Sequence, residues 1–131
     1  MITVLFTTES HFPVNRRRIQ GAVTEVLAGI VHRATEVSVT IIGNRRMRQL
    51  NRTYRNVDAP TDVLSFPQND ASQKGDAFVY PPDDTLRLGD IVVSYPLAVV
   101  AAGETNRMVD DVVVDLVLHG LNHLLGIHHD E

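Results

Sequence analysis

The chain has 131 residues, 44% hydrophobic and 21% charged, with no cysteine and no tryptophan; this fits one globular domain over residues 1–131 and excludes disulfides, thiolate metal sites, iron–sulfur clusters and thiol nucleophiles. The net charge of −4, averaged over the whole chain, argues against a nucleic-acid binder. Residues 1–60, however, carry nine arginines against four acids, whereas residues 61–131 carry three basic residues against twelve acids, so an anionic partner stays open at the arginine-rich end. In chain order, residues 2–7 read as a first strand, rich in β-branched and aromatic side chains. The same apolar opening lacks a basic n-region and reaches Glu9 too early for an export signal. With no apolar run near the length of a bilayer, the sequence is expected to be soluble and cytoplasmic. From Asn15 to His32 the positions Ile19, Val23, Leu27, Ile30 and Val31 follow helical spacing, with Asn15 as N-cap. Glu36 to Ile42 alternates as a second strand, and Asn44 is expected to cap a short helix carrying Met47, Leu50 and Tyr54 on one stripe. Asp58-Ala59-Pro60 breaks that helix, Thr61 to Phe66 forms a third strand, and Gln68 to Arg87 reads as a long loop. Leu88 to Ser94 is a fourth strand, Ser94 and Pro96 start a helix to about Thr105, and Met108 to about Leu125 is the last and most apolar helix.

Four of the six histidines fall in the last thirteen residues. His119 and His123 are four apart, so a helix projects both rings from one face, about 5–6 Å apart at Cβ, close enough to share one ion. Gly126 stands where a left-handed residue would end the helix and turn His129 back toward the same ion. Three imidazoles with no fourth protein ligand describe an open, catalytic metal site whose bound water is acidified toward a pKa of about 7. A domain of this size does not need a metal to fold, so an ion here would serve chemistry. Zinc is the expected ion, with nickel or copper as substitutes that imidazole also accepts. Since ligand histidines bind in the neutral form, zinc is expected to leave below a pH of about 6.

The pattern H-x-x-x-H-x-x-G-x-x-H also matches the metal frame of zinc peptidases, which place a glutamate directly after the first histidine as general base. Here that residue is Gly120, which disfavours amide hydrolysis. Asp110 and Asp111 suit the positive end of the last helix, and Asp115, one turn before His119, is placed to orient its ring.

Together with Leu50-Asn51-Arg52-Thr53-Tyr54-Arg55, Pro60-Thr61-Asp62-Val63-Leu64-Ser65-Phe66-Pro67 and Leu88-Gly89-Asp90-Ile91-Val92-Val93-Ser94, the histidine motif resembles the YbeY family of metal-dependent single-strand endoribonucleases over roughly residues 35–129. The resemblance implies zinc held by His119, His123 and His129, with Arg55 the essential arginine of the substrate cleft and Ser65, Phe66 and Asn51 shaping that cleft. It further implies action on ribosomal RNA in rRNA maturation and ribosome quality control, with the ribosome or its proteins as partners. Two departures stand out: His128 occupies the place of an acid common in the family, and relatives typically continue past the point where this sequence ends, so metal affinity is expected to be weaker than the family norm. The expected fold is α+β, a mixed four-stranded sheet packed with helices, with a zincin-like metal helix and the Arg55 helix meeting at a cleft rimmed by residues 68–87. The catalytic assignment rests on Arg55 and His119. The other readings are a metallopeptidase-like hydrolase and a non-catalytic, ribosome-associated metalloprotein.

Overall fold

The computed structural model describes residues 1–68 and 85–129, and the side chains of all these except 127–129. Four strands, β1 (Ile2–Thr8), β2 (Thr35–Ile42), β3 (Val63–Pro67) and β4 (Leu86–Ser94), form one sheet in the order β1-β2-β4-β3. The first three strands in that order run parallel, and β3 is antiparallel to β4. The helices are α1 (Arg16–Ala28), α2 (Asn44–Arg55), α3 (Tyr95–Thr105) and α4 (Val109–His129). The α+β class and the mixed four-stranded sheet agree with the sequence reading.

Alternation along the strands builds two cores. Val37, Val39 and Ile41 of β2 share a face with Ile91 and Val93 of β4, and α1, α3 and α4 add Ile19, Val23, Leu27, Ala98, Val113, Val117, Leu121 and Leu124 over it. The opposite face carries a smaller cluster in which Met47 of α2 meets Ile42, Leu64 and Val92, with Leu50 and Phe66 packed beside them. α2 is therefore the helix that packs against that second face, while the rest cover the first. The segment from Leu97 to Ala102 is part of a helix that buries Ala98 and Ala102 and exposes Val99 and Val100, and no helix of the described residues is long and apolar enough to cross a membrane.

The helix ends show which local signals decided. Asn15 caps α1 as expected, its side-chain oxygen accepting from the Arg18 N–H at 3.0 Å. The helix stops at Ala28, short of the predicted His32, because Gly29 forms the C-cap and Ile30 and Val31 both donate to the Leu27 carbonyl as the chain turns toward β2. α2 is capped by the Gly43 backbone rather than by Asn44, whose side chain instead accepts a hydrogen bond from the Ser94 hydroxyl at 2.7 Å. Its C-cap is Asn56 in the left-handed region, two residues before the predicted break. Asparagine tolerates that conformation well, so the helix ends before Pro60 can force it to. Ser94 caps α3, accepting from the Leu97 N–H at 3.3 Å.

β4 begins at Leu86, so the predicted loop is shorter at that end, and residues 69–84 of it lie outside the described residues. Where β4 enters the sheet, its register on β2 shifts by one residue between Glu36 and Val37, whose partners are Arg87 and Gly89. Gly89 has φ +140°, and a Cβ there would stand 2.2 Å from the Phe66 carbonyl oxygen. The irregularity sets the faces of the rest of β4: Ile91 and Val93 point toward α4, and Asp90 and Val92 point away.

Candidate active site

α4 crosses the sheet over β3 and β4 with Val117, Leu121 and Leu124 buried and with His119 and His123 left exposed on the side toward β3. Gly120 makes the approach close: it is buried, and a Cβ at this position would lie 2.8 Å from Ile91 Cγ2 and 3.5 Å from Val63 Cγ2. The branched Ile91 is fully buried and has no free end to swing aside. Gly120→Ala is therefore expected to lower stability by about 1–3 kcal/mol through overpacking, measured as a shift of the urea midpoint; an unchanged midpoint would show that α4 does not depend on this contact.

β3 supplies the opposite wall. Its residues alternate, so Ser65, paired with Ile91, faces α4, whereas Phe66, paired with Asp90, faces the other side. The Ser65 hydroxyl is 2.6 Å from His123 Nδ1, which fixes the ring, and Nε2 has no hydrogen-bond partner among the described residues. The C-terminal turn of α2 completes the enclosure with Arg55. The resulting cleft, of about 340 Å³, is lined by Arg55, Asp62, Val63, Leu64, Ser65, His119, Gly120 and His123. Three residues singled out in the sequence, Arg55, His119 and His123, thus share one cavity, and the meeting of the two helices at a cleft is as expected.

Three details of the site differ from the sequence reading. α4 continues through Gly126 to His129, so the expected glycine bend is absent. Glycine lowers helix stability by only about 1 kcal/mol, and that does not compel a stop. Six residues along a helix advance the chain to about a third of a turn off the starting line, so on α4 the backbone position of residue 129 is not in line with that of residue 123; the His129 side chain lies outside the described residues. Asp115 does not orient His119: its carboxylate accepts from Arg107 at 2.6 Å. Phe66 and Asn51 do not line the cleft; Asn51 is buried behind it, with its amide donating to the Ala59 carbonyl at 2.8 Å and so holding the turn between α2 and β3. Asp111, at the start of α4, pairs with Arg18.

The electrostatics separate Arg55 from Arg48 and Arg52. α2 carries Arg45, Arg46, Arg48, Arg52 and Arg55 and no acid. Asp58, just past its end, is taken by Arg48 through two hydrogen bonds of 2.7 and 3.0 Å and by Arg52 at 3.5 Å. The hydrogen bond from Arg48 holds the Asp58 carboxyl below its usual range, and the same contact raises Arg48. Arg55 has no ion-pair partner among the described residues, which leaves its guanidinium directed to the cleft and not to offsetting Asp58.

The family model described as Endoribonuclease YbeY matches residues 5–131 of the chain. The chain belongs to the YbeY family. Among the relatives, the Endoribonuclease YbeY of Moorella thermoacetica is 43% identical over 117 residues, covering 89% of this chain and 72% of that protein. That of Roseiflexus castenholzii is 41% identical, with coverage of 89% and 69%, and that of Dehalococcoides mccartyi strain BAV1 is 38% identical, with coverage of 75% and 64%. The matched part is therefore about two-thirds of the length of these YbeY relatives. A similar fold occurs in the solution structure of TM1509 from Thermotoga maritima, at TM-score 0.60 and 21% identity over 92% of this chain and 71% of that one.

The family resemblance implies a metal, and the described residues bear on whether one fits. Among them, no group of three His, Cys, Asp or Glu side chains is placed to hold an ion. Two imidazoles at helical i, i+4 spacing do share the cleft, and His123 has its Nδ1 held by a hydroxyl. That hydrogen bond is the arrangement by which an outer group orients a metal-bound histidine and sets its tautomer. Two imidazoles are donors that zinc accepts, and the side chain of His129, the third ligand the resemblance implies, lies outside the described residues. Ser65 is where the sequence reading was weakest: it counted Ser65 only among the residues shaping the cleft, although period-2 alternation alone places its side chain on the α4 side. If the contact tunes the histidine, Ser65→Ala is expected to lower zinc affinity about 10–100-fold, read by competition with a zinc chelator; equal affinity would make the contact incidental.

Proposed function

We propose that this chain is a zinc-dependent endoribonuclease that hydrolyses phosphodiester bonds of single-stranded RNA, with ribosomal RNA as its substrate and ribosome maturation and quality control, in the cytoplasm, as its setting. The observation that carries the reading is the cleft in which Arg55, with no ion-pair partner among the described residues, faces His119 and His123. A guanidinium that makes no ion pair among the described residues is matched to an anionic substrate, and a phosphodiester carries a charge that an amide lacks.

In this reading His119 and His123 would hold the zinc from one face of α4, with His129 the third ligand that the family resemblance implies. When bound, zinc supplies Lewis-acid chemistry, polarising the phosphodiester and acidifying water. Arg55 donates hydrogen bonds to the nonbridging phosphate oxygens, where negative charge grows as the P–O bond breaks. Ser65 holds the His123 ring in one orientation, and Asp62 brings a carboxylate to the same cleft. The tight packing at Gly120 leaves no room for the glutamate that a zinc peptidase needs after its first histidine.

Tag-free protein incubated with end-labelled single-stranded RNA, the matching duplex and unfolded casein tests the assignment. Internal cuts confined to the single-stranded RNA are expected. Cleavage of casein with the RNA intact would favour the peptidase reading, and zinc binding with neither substrate cut would favour the non-catalytic one.

A further inference from the structure

Adjacent residues on two elements are divided between two cavities. Arg55 of α2 and Ser65 of β3 line the histidine cleft; Tyr54 and Phe66, their neighbours in the chain, line a groove of about 490 Å³ on the opposite face of the sheet. Among the described residues β3 is the edge strand of the sheet, so the cleft and the groove lie on the two sides of that edge.

The groove suits a flat, uncharged ring better than a phosphate. Ile42, Leu50, Phe66 and Val92 give it an apolar floor. Two carboxylates also line it, and both are held by the protein: Glu9 accepts from the Gly43 N–H at 2.6 Å, and Asp90 accepts from the Ser38 hydroxyl. Their charge repels phosphate, while their oxygens accept hydrogen bonds from the N–H groups of a base edge. Arg46 stands at the same groove with no ion-pair partner among the described residues, available to a phosphate passing outside.

Tyr54 is the unusual residue. It falls on the apolar stripe of α2 with Met47 and Leu50, yet Met47 is fully buried and Tyr54 is 65% exposed. Its ring is not loose: it meets Phe66 edge to face, with centroids 5.1 Å apart and planes at 62°. An exposed aromatic face held in a fixed orientation has already lost much of its rotamer freedom, which lowers the entropy cost of stacking a partner on it.

We infer that the Tyr54–Phe66 groove is a subsite for one unpaired base of the same RNA strand whose scissile phosphate lies against Arg55, the strand passing β3 between them. The inference rests on the RNA reading above. It also supplies a reason for single-strand specificity: a base paired in a duplex cannot leave its stack to enter the groove without the cost of unpairing.

The test uses full-length protein and single-stranded RNA carrying 2-aminopurine near the cut site, whose fluorescence falls when the base stacks. Binding by quenching and cleavage kinetics are measured for wild type, Tyr54→Phe, Tyr54→Ala and Arg55→Ala. Tyr54→Ala is expected to lose the quench and to raise Kd and KM roughly five- to hundredfold, with kcat affected far less; Tyr54→Phe, which keeps the ring, retains both. Arg55→Ala is expected to keep the quench while losing cleavage. Tyr54→Leu replaces Tyr54→Ala if the latter fails a thermal-melt check of folding. Wild-type quenching and KM in the variant lacking the ring would overturn the subsite and leave the nuclease reading intact. A wild-type protein that neither binds nor cuts the RNA would overturn both.

Discussion

Arg55→Ala is expected to slow cleavage of single-stranded RNA by about 10²–10³-fold, the usual cost of removing one hydrogen-bond donor from developing charge. Zinc content and the melting temperature should stay near wild type, because the guanidinium makes no ion pair among the described residues and its loss strands no buried partner. Arg55→Lys should recover only part of the rate, since an ammonium keeps the charge but not the two-point grip on a phosphate. The assay is single-turnover cleavage of an end-labelled oligonucleotide. A rate within about twofold of wild type, well inside the cost expected for a lost donor, would remove Arg55 from the chemistry.

The second large effect is on stability. Gly89→Ala places a methyl group 2.2 Å from the Phe66 carbonyl, on a residue with φ +140°. Backbone strain of about 1–3 kcal/mol and overpacking of about 1–3 kcal/mol act together, against a total stability of only about 5–15 kcal/mol for a domain. The expected result is a marked drop in the urea midpoint, with activity falling in step as β3 moves off β4 and takes Ser65 from His123. Gly103→Ala is the control, because a Cβ at that exposed helical position meets nothing within 4 Å. If both substitutions leave the midpoint unchanged, the close approach of β3 at Gly89 is not what holds the edge strand.

Much of this architecture is legible in the chain itself. The strands announce themselves by alternation, α1 by Ile19, Val23 and Leu27, and the two helix N-termini by Asn15 and Ser94, because those signals are local and the structure uses them as they stand. Errors gathered where tertiary contacts outbid a local preference. Asn44 has the side chain of a cap, but Ser94 engages it and the Gly43 backbone takes the position. Asp115 has the spacing to reach His119, but Arg107 lies closer to hand. Tyr54 sits on an apolar stripe, but the second core ends at Leu50 and leaves the ring outside.

The same division holds in the site. The pairing of His119 with His123 follows from helical period, and the reason for Gly120 becomes visible only once Ile91 and Val63 are seen against it. That Arg55 joins the histidines depends on an edge strand and a helix end from the other half of the chain, which no spacing rule reports. The glycine at 126 misled because it permits a bend without requiring one, and α4 runs through it.

The most direct test of the account is to purify wild type and His123→Ala without an affinity tag, then measure zinc per chain and RNA cleavage on the same samples. The account predicts about one zinc and internal cuts in single-stranded RNA for wild type, consistent with a three-histidine site, and the loss of both in the variant. Cleavage that persists unchanged in His123→Ala, with or without zinc, would contradict it.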